Sequence, residues 1–341
     1  MSKYKILNGA IHIHTILSDG SADIDYVSKT AKKLGLDYII ISDHNKKSEE
    51  GIFNGVYVIS AEEITPNNGN HYLAFNSQNV ILPDENPQIY VDEVRKSGGF
   101  GFMAHPFESE KRKNAFPSLK WKDNSIVGDG LELWNWFSSW ADNVNDANVF
   151  TLAYAYLFKH CLISAPCSEC LKYWDFLNNS KQEIFPALCG VDAHALLIRK
   201  YIIPVKIFPY KTMLNTFCNS LSVSDEADKS FEFTKNQILN ALKNGNNVMY
   251  NRHEGKIPPE FYVENSTAKV NAGGGINLDD NTYLKVRSDK TVLFRVLRNG
   301  ELVFEVTDFS CNFKITQGGK YRVEVYRKGK PWAFTNSVCV C

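Results

Sequence analysis

The stretch HIHTILSDG, residues 12–20, places His12 and His14 one residue apart and adds Asp19 after a short gap. In a β-strand the side chains of residues i and i+2 project from the same face, so the two imidazoles would lie side by side. Neighbouring imidazoles are a common ligand pair for divalent metals. An isolated His-x-His is explained equally well by two polar residues on a solvent-facing strand, so the rest of the chain must decide.

Further acids and histidines stand at or near the ends of other apolar, strand-like runs: Asp43, His44, Glu62, Glu63, His71, His105, Asp192 and His194. In a (β/α) barrel the carboxyl ends of the strands surround one mouth, so side chains at these positions would converge. The number of residues at equivalent positions therefore favours a functional site over a chance distribution.

The residue types indicate the chemistry of that site. Clustered carboxylates repel one another in a partly buried site unless cations compensate their charge. Imidazoles and carboxylates are the ligands that zinc, manganese and iron accept. The donors outnumber what one ion needs, so the pattern predicts two or three divalent metal ions (Mn, Zn or Fe) with a carboxylate bridging a pair. Closely spaced ions of this kind hydrolyse phosphoesters.

The elements that must position these residues are strands alternating with helices. The apolar run AIHIH is followed by the helical pattern SADIDYVSKTAKKLG, in which Ser21 would cap the helix and Gly35 would end it. The runs LDYIIISDHN, VYVISAEEIT, GGFGFMAHPF and IFPALCGVDAHA continue the pattern. Continuous apolar strands that alternate with helices predict an α/β fold with a parallel sheet covered by helices.

Length and charge limit the class of protein. A chain of 341 residues with 44% hydrophobic content can bury a large core and is expected to form two domains. Lys plus Arg and Asp plus Glu number 38 each, so no global charge attracts nucleic acid or an anionic membrane. The run MSKYKILNGAIHIH lacks the apolar core of a secretory signal, and no stretch is apolar enough to span a bilayer. We therefore expect a cytoplasmic location and no membrane partner.

The eight cysteines are too sparse for a disulfide scaffold and are expected to be reduced thiols. Cys167 and Cys170 form a lone C-x-x-C in SAPCSECLK. That spacing needs a second pair, or a thioredoxin-like context, before it predicts zinc binding or redox chemistry, and the sequence shows neither. Cys339 and Cys341 lie at i and i+2 of a terminal strand, where a shared, partly buried face explains them.

The last quarter of the chain changes character. After the glycine-rich stretch NAGGGINLDD come the strand-like runs TYLKVRS, TVLFRVLRNGELVFEVT, GKYRVEVYRKG and PWAFTNSVCVC. Asn299 and Gly300 suit the positive φ of a hairpin turn. We therefore predict a barrel domain over residues 1–255 and a small antiparallel β-sandwich (Ig-like) accessory domain over residues 256–341.

The motifs HIHTILSDG, ISDHN, AEEIT followed by NHYLAF, AHPF and GVDAHA resemble the successive motifs of the PHP family, the polymerase and histidinol phosphatase superfamily of metal-dependent phosphoesterases. Their order and spacing match through about residue 255. The resemblance implies a distorted (β/α)7 barrel, the PHP fold, with a two- or three-metal site. The ending GKPWAFTNSVCV resembles the tail of one bacterial branch in which the barrel carries a β-sandwich module.

The family pattern implies one set of ligands for each ion. The first ion would be held by His12, His14, Glu63 and Asp192, the second by Glu63, His71 and His105, and the third by Asp19, His44 and His194. Glu63 is preferred to Glu62 as the bridge because the family's carboxylate stands immediately before the Ile-Thr pair. Strand alternation would point Glu62 to the opposite face, and a bulge would reverse the choice.

The resemblance also implies roles around the ions. A metal-activated hydroxide would attack phosphorus, and Asp19 or His194 could protonate the leaving oxygen. Phosphate oxygens not bound to metal need polar or cationic donors, and the candidates near the mouth are Asn45, Lys46 and Arg199, with Lys47 and Lys200 beside them. A solvated loop is the other explanation for each of these cations.

Other side chains near the expected site would have supporting roles rather than bind metal. Asp43 could orient an imidazole, and Glu132 of LELWN is expected to hydrogen-bond a ligand rather than to bind metal. Trp134 and Trp136 could wall a pocket for a base or a sugar, although large aromatic residues are more often part of the core.

Together these observations predict a metal-dependent phosphoesterase, a hydrolase acting on a small phosphorylated metabolite or nucleotide. One alternative is an exonuclease-type phosphodiesterase on oligonucleotide ends, for which a short oligonucleotide would be the partner. A second alternative is a non-catalytic, metal-stabilised binding module that contacts a protein through the C-terminal domain. An intact ligand set argues against the last, because a structural metal site needs no open mouth.

Overall fold

The structure is a computed structural model that describes residues 4–110, 112, 117–122, 128–144, 154, 156–198, 205–225 and 230–341. It is a mixed α/β protein rich in strands. The strands before residue 256 are β1 (Tyr4–Ile13), β2 (Tyr38–Ile41), β3 (Gly51–Phe53), β4 (Val56–Ser60), β5 (Glu62–Ile64), β6 (Tyr72–Phe75), β7 (Phe100–Met103), β8 (Gly130–Asn135), β9 (Ala187–Gly190), β10 (Leu196–Ile198), β11 (Val205–Ile207), β12 (Phe217–Ser224) and β13 (Asn247–Asn251).

Helices lie between many of these strands. They are α1 (Ile24–Lys33), α2 (Pro87–Lys96), α3 (Trp136–Asn143), α4 (Ser168–Ser180), α5 (Tyr210–Met213) and α6 (Phe231–Lys243). The predicted first helix is confirmed, but its cap is Asp23 rather than Ser21, because the Asp23 side chain accepts a hydrogen bond from the backbone N–H of Tyr26. Gly35 follows the helix with a φ of 70°, which glycine adopts without strain.

The strands that carry the predicted site residues belong to two sheets. Strands β1, β2 and β4 are parallel neighbours in the larger sheet, and strands β7, β8 and β9 are parallel neighbours in a five-stranded sheet ordered β5-β6-β7-β8-β9. Strand β6 is antiparallel to both β5 and β7, so the prediction of a wholly parallel sheet is wrong here. A hairpin-like connection between β5 and β6, with no helix between them, explains the reversal.

Two single bridges join the sheets at one end. Ile13 at the end of β1 pairs in parallel with Ala193 beyond β9, and His44 beyond β2 pairs in parallel with Glu63 of β5. Both bridges lie at carboxyl ends of strands, so the polar residues that follow those strands meet. The described strands form these two bridged sheets and a separate β10-β11 pair, not one closed sheet, and the seven-stranded barrel stays a prediction.

The C-terminal strands are β14 (Glu260–Glu264), β15 (Lys269–Val270), β16 (Gly275–Ile276), β17 (Tyr283–Arg298), β18 (Glu301–Lys314), β19 (Gly319–Arg327), β20 (Lys330–Thr335) and β21 (Val338–Val340). They pair antiparallel except for β16 with β21, and a tight turn with Asn299 and Gly300 at positive φ joins β17 to β18. Strand β20 also pairs with β13, so these strands continue the larger sheet of the N-terminal part.

The N-terminal and C-terminal parts share a core as well as a sheet. The Trp134 ring lies 4.0 Å from the Phe217 ring and 5.3 Å from the Phe334 ring, measured between centroids. All three residues are buried in one apolar cluster. The division at residues 255 and 256 stays a prediction, and a cut there would expose this apolar contact to water.

Within the described residues, no helix has both the length and the apolar character needed to cross a membrane.

Candidate metal centre

The opening His-x-His pair is built on a β-bulge. Strand β1 pairs with β2 through Ile11 and Ile13, but the register shifts between them, and His12 has a φ of 69°. The imidazoles of His12 and His14 still lie close, with ring centroids 5.2 Å apart. The predicted juxtaposition is therefore present, but the reason given for it is wrong, because a bulge and not regular alternation sets the direction of His12.

Four donor atoms form the most buried group of the centre. Glu63 Oε2 lies 3.4 Å from His12 Nε2 and 3.4 Å from His14 Nε2. Asp192 Oδ1 lies 3.6 Å from each of the same two nitrogens. Donors bound tetrahedrally at about 2.1 Å from an ion are separated by about 3.4 Å, so each of the two nitrogens lies near ligand spacing from both carboxylates.

The two nitrogens of this group also lack another partner. His12 Nε2 and His14 Nε2 are buried and make no hydrogen bond in the structure. A buried polar atom without a partner costs about 1 to 3 kcal/mol. A divalent ion between the nitrogens and the carboxylates would satisfy the nitrogens, and this donor set is one that such an ion accepts.

Glu63 reaches a second group with its other oxygen. Its Oε1 lies 2.9 Å from His71 Nδ1 and 3.3 Å from His105 Nε2. Glu62 points away and accepts a hydrogen bond of 3.0 Å from the Ile81 backbone N–H. The structure therefore places Glu63, not Glu62, among the imidazoles, and its two oxygens face two different donor groups.

A third group lies nearer the solvent. Asp19 Oδ1 is 3.6 Å from His44 Nε2 and 3.3 Å from His194 Nε2, and the Asp19 side chain is half exposed. The ring of His14 stacks on that of His194 with a centroid distance of 3.9 Å. The structure thus brings together all nine residues that the family pattern implies as ligands. Their donor atoms fall into overlapping clusters that could hold metal ions.

Glu132 supports the innermost histidine, as the sequence predicts. Its Oε1 lies 2.9 Å from His12 Nδ1, which fixes His12 Nε2 as the nitrogen that faces Glu63 and Asp192. Its Oε2 accepts hydrogen bonds from the backbone N–H of His105 and from the Asn135 amide. Asn135 also contacts Asp192, at 3.3 Å, so one strand end holds three members of the cluster.

Asp43 has a different role from the one expected. Its carboxylate accepts hydrogen bonds from the backbone N–H and hydroxyl of Thr15, both at 2.7 Å, and from the Ser18 hydroxyl at 2.6 Å. These bonds fix the loop that leads from His14 to Asp19. The expectation that Asp43 orients an imidazole is wrong, because its oxygens are occupied by this loop.

Opposite charges set the protonation of the centre. Burial favours the neutral form of His12, but three nearby carboxylates, Glu132 first, raise its pKa well above the usual value. Burial and the neighbouring imidazoles lower the pKa of His14 well below it. Burial disfavours a charge on Glu63, yet the surrounding histidines hold its pKa well below the ordinary range. The centre therefore keeps an ionised carboxylate at its middle.

Three of the clustered residues have strained backbones. The φ angles of His12, His105 and Asp192 are 69°, 29° and 53°. Positive φ is uncommon outside glycine and costs about 1 to 3 kcal/mol for each residue. Such strain persists where packing and function impose it, and here it turns three side chains toward one point.

The predicted substrate-binding residues are largely engaged elsewhere. The Asn45 side chain pairs with the backbone of Thr65, accepting at 2.9 Å and donating at 3.4 Å. Lys46 Nζ donates to the Leu17 carbonyl at 2.5 Å, and Lys47 Nζ donates to the Ser77 carbonyl. Arg199 and Lys200 lie outside the described residues.

The sequence missed a buried cation at the open side of the centre. A cavity of about 410 Å³ lies over the cluster, and Arg112 and Glu108 form part of its wall. Arg112 is held by Glu108 Oε1 and Asp142 Oδ1, both at 2.6 Å, and by the Ser138 carbonyl at 2.8 Å. Arg112 follows no strand-like run, so its place could not be predicted, whereas Glu108 stands three residues after His105 in AHPFE.

Both tryptophans of LELWNWF belong to the core. Trp134 and Trp136 are buried, and the Trp134 indole donates to the Ser164 carbonyl at 2.9 Å. Trp134 also forms part of the wall of a second cavity, beside β8. The explanation as core residues is therefore confirmed.

No family model matches this sequence, and no curated protein matches it. Its structure is similar to that of a two-domain protein from Bacteroides vulgatus ATCC 8482, described as containing a predicted PHP-like metal-dependent phosphoesterase. The superposition covers 98% of this chain and 95% of that chain, with a TM-score of 0.48 and 15% sequence identity. A likeness this remote leaves the function to be argued from the residues of this chain.

Proposed function

We propose that this protein is a metal-dependent phosphoesterase that hydrolyses a small phosphorylated metabolite or nucleotide. The observation that supports the proposal most strongly is the pair of buried, unpartnered nitrogens of His12 and His14, which lie at ligand spacing from two carboxylates. A site built only for stability would pair such atoms within the protein.

We assign the ligands in three sets. The first ion would be bound by His12, His14 and Glu63, joined by Asp192, whose Oδ1 lies 3.6 Å from both imidazole nitrogens. The second would be bound by Glu63, His71 and His105, and the third by Asp19, His44 and His194. Divalent ions bound there would polarise the phosphoester and lower the pKa of water. Manganese, zinc and iron all suit this donor set.

The residues of the chain supply the remaining functions. Asp19 is the most exposed of the nine, and with His194 it lies where the centre opens to solvent. We assign protonation of the leaving-group oxygen to His194 Nε2 when His194 is released from a weakly held third ion, with Asp19 3.3 Å from that nitrogen. Without the third ion, Asp19 accepts a hydrogen bond from His194, which keeps the pKa of His194 above its ordinary value despite burial.

We infer the class of substrate from the cavity over the cluster. Arg112 has five N–H donors, and its described contacts use three of them, one at each nitrogen. The remaining two have no partner among the described residues and would be able to bind a phosphate oxygen. A cavity of about 410 Å³ with one arginine suits a compact phosphomonoester better than a polyanionic strand. Asn45, Lys46 and Arg199 remain proposed contacts at its margin.

Turnover tests the proposal. The purified protein, reloaded with manganese, is assayed on an aryl phosphate, on the matching diester and on a short oligonucleotide. We expect hydrolysis of the monoester, abolished when the metal is removed with a chelator. Metal binding without hydrolysis of any of the three would support the binding module instead. Preference for the oligonucleotide, weakening steeply with salt, would support the exonuclease alternative.

A further inference from the structure

A second cavity contains a pair of cysteines that the hydrolytic centre does not use. Its volume is about 320 Å³, and it lies between β8 and the start of α4. Cys167 and Cys170 line one side of it, and His105 and Glu132 line another. The dithiol is thus next to the metal centre but outside its ligand clusters, since no described cluster of metal-binding side chains includes either thiol.

The two cysteines occupy different environments at one helix start. Cys167 is the exposed N-cap residue of the 13-residue helix α4, and its sulfur accepts a hydrogen bond of 3.3 Å from the Cys170 backbone N–H. Cys170, one turn later, is buried, and its thiol lies 3.8 Å from the Leu133 carbonyl. An exposed sulfur stabilised by a helix N-terminus, with a second thiol in the first turn, is the arrangement of reactive C-x-x-C pairs.

The thiols also interact with each other. The Cys170 thiol, more than its backbone N–H, lowers the pKa of the Cys167 thiol, and the same thiol contact raises the pKa of Cys170. Cys167 therefore has the greater thiolate fraction and the greater access, and Cys170 keeps its proton in the interior. This asymmetry separates an attacking sulfur from a resolving sulfur.

We propose that Cys167 and Cys170 form a reversible redox site that is oxidised to a disulfide by hydrogen peroxide. The Cys167 thiolate attacks one peroxide oxygen, the O–O bond breaks, and a sulfenic acid and water are formed. The Cys170 sulfur then attacks the Cys167 sulfur, the S–O bond breaks, and the departing oxygen leaves as a second water. The two thiols supply both electrons and both hydrogens. A small thiol reductant then reduces the disulfide and restores both thiols.

The chain offers a matched control pair. Cys339 and Cys341 also lie close together, with sulfurs 3.6 Å apart, but Cys339 is in the terminal strand β21 and Cys341 follows it. Burial, with the neighbouring thiol, raises the pKa of Cys339. Proximity is common to both pairs, whereas the helix N-terminus and the lowered thiol pKa belong only to Cys167.

The test uses the full-length protein loaded with zinc, which has no redox chemistry of its own. Wild type, C167S, C170S and the double variant C339S/C341S are treated with an equimolar amount of hydrogen peroxide, alkylated, and mapped by peptide mass spectrometry without reduction. Serine is a good N-cap, so C167S is expected to keep helix α4. Dimedone added to a parallel sample traps sulfenic acid.

We expect a Cys167–Cys170 disulfide in the wild type and in C339S/C341S, reversed by dithiothreitol. C170S should accumulate the dimedone adduct at Cys167, and C167S should lose oxidation at both positions. The proposal is overturned if the wild type accumulates the Cys167 adduct as C170S does, or if both thiols remain alkylatable. It is equally overturned if C167S leaves oxidation of Cys170 unchanged.

Discussion

Buried charged groups are arranged in opposite ways at the metal centre and at the contact between the C-terminal strands and helix α4. At the contact, Arg322 makes two bonds to Asp175, at 2.8 and 2.7 Å, and one to Glu324 at 2.8 Å. Lys320 donates to three backbone carbonyls near the end of α4. At the centre, in contrast, the inward nitrogens of His12 and His14 have no hydrogen-bond partner among the described residues.

The difference separates groups that stabilise the fold from groups that await a ligand. Three bonds to two carboxylates, one from each guanidinium nitrogen, let the Arg322 network join two parts of the chain at a fixed geometry. Incomplete pairing, combined with three strained backbones, destabilises the metal centre unless ions bind there. Substitutions in the two regions should therefore affect different measurements.

The largest effect is expected from Glu63→Gln. The amide keeps the shape of the side chain but removes the charge that faces both inner donor groups, so phosphatase activity should fall by roughly 10³-fold or more. Glu62→Gln is the matched control, because Glu62 faces the Ile81 backbone on the other side of the strand. Activity is measured with circular dichroism as a check on folding. A dead Glu62→Gln beside an active Glu63→Gln would show that the bridge is assigned to the wrong residue.

Arg322→Ala should affect stability rather than metal binding. It leaves Asp175 and Glu324 without their buried partner, which costs about 3 to 5 kcal/mol. Arg295→Ala is the control, because Arg295 is a third exposed and its ion pairs are longer, so its loss should cost about 1 kcal/mol or less. Urea unfolding measures both variants. Equal destabilisation by the two would mean that the Arg322 network does not join the two parts.

His194→Asn should reveal the proton donor through the leaving group. An alkyl phosphate needs protonation of its departing oxygen, so its hydrolysis should fall by roughly 10²-fold. The aryloxide that leaves from an aryl phosphate is a weak base and needs little protonation. The hydrolysis rate of that ester should therefore fall clearly less. Steady-state rates on both esters are compared after equal metal loading is verified. The same loss on both substrates would assign His194 to metal binding alone.

The smallest effect concerns pH. Burial raises the pKa of Glu62 to about 7 from an ordinary 4.5, so the folded protein holds a proton that the unfolded chain releases. This contribution to stability is present below about pH 4.5 and is lost as the pH rises through about 7. Melting curves at about pH 5 and about pH 8 should therefore differ less for Glu62→Gln than for wild type. An identical pH dependence of the melting temperature in the two proteins would show that Glu62 holds no such proton.

The sequence predicted the members of the centre better than the geometry that joins them. His44, His105 and Asp192 could be selected because each follows an apolar strand, and strand ends converge. The bulge at His12 could not be foreseen, because it depends on which strand pairs with β1. The reversal of β6 likewise depends on pairing partners that local sequence does not specify.

The contact between Arg322 and helix α4 could not be predicted from the sequence for a related reason. Arg322 lies in the run GKYRVEVYRKG, where alternation with apolar neighbours is typical of a solvent-facing position. Only the packing of α4 against β19 buries it beside Asp175. The same is true of the C-x-x-C pair. Its spacing alone does not predict redox chemistry, and the position of Cys167 at a helix N-terminus is visible only in the structure.

Metal content tests the central claim most directly. The protein is stripped with a chelator, reloaded with manganese, desalted and measured by elemental analysis beside Glu63→Gln and Arg322→Ala. Because the donors form overlapping clusters around Glu63, we predict two or more tightly bound ions per chain in wild type and Arg322→Ala, and at least one fewer in Glu63→Gln. Fewer than one ion in folded wild-type protein, or full loading of Glu63→Gln, would contradict a metal centre bridged by Glu63.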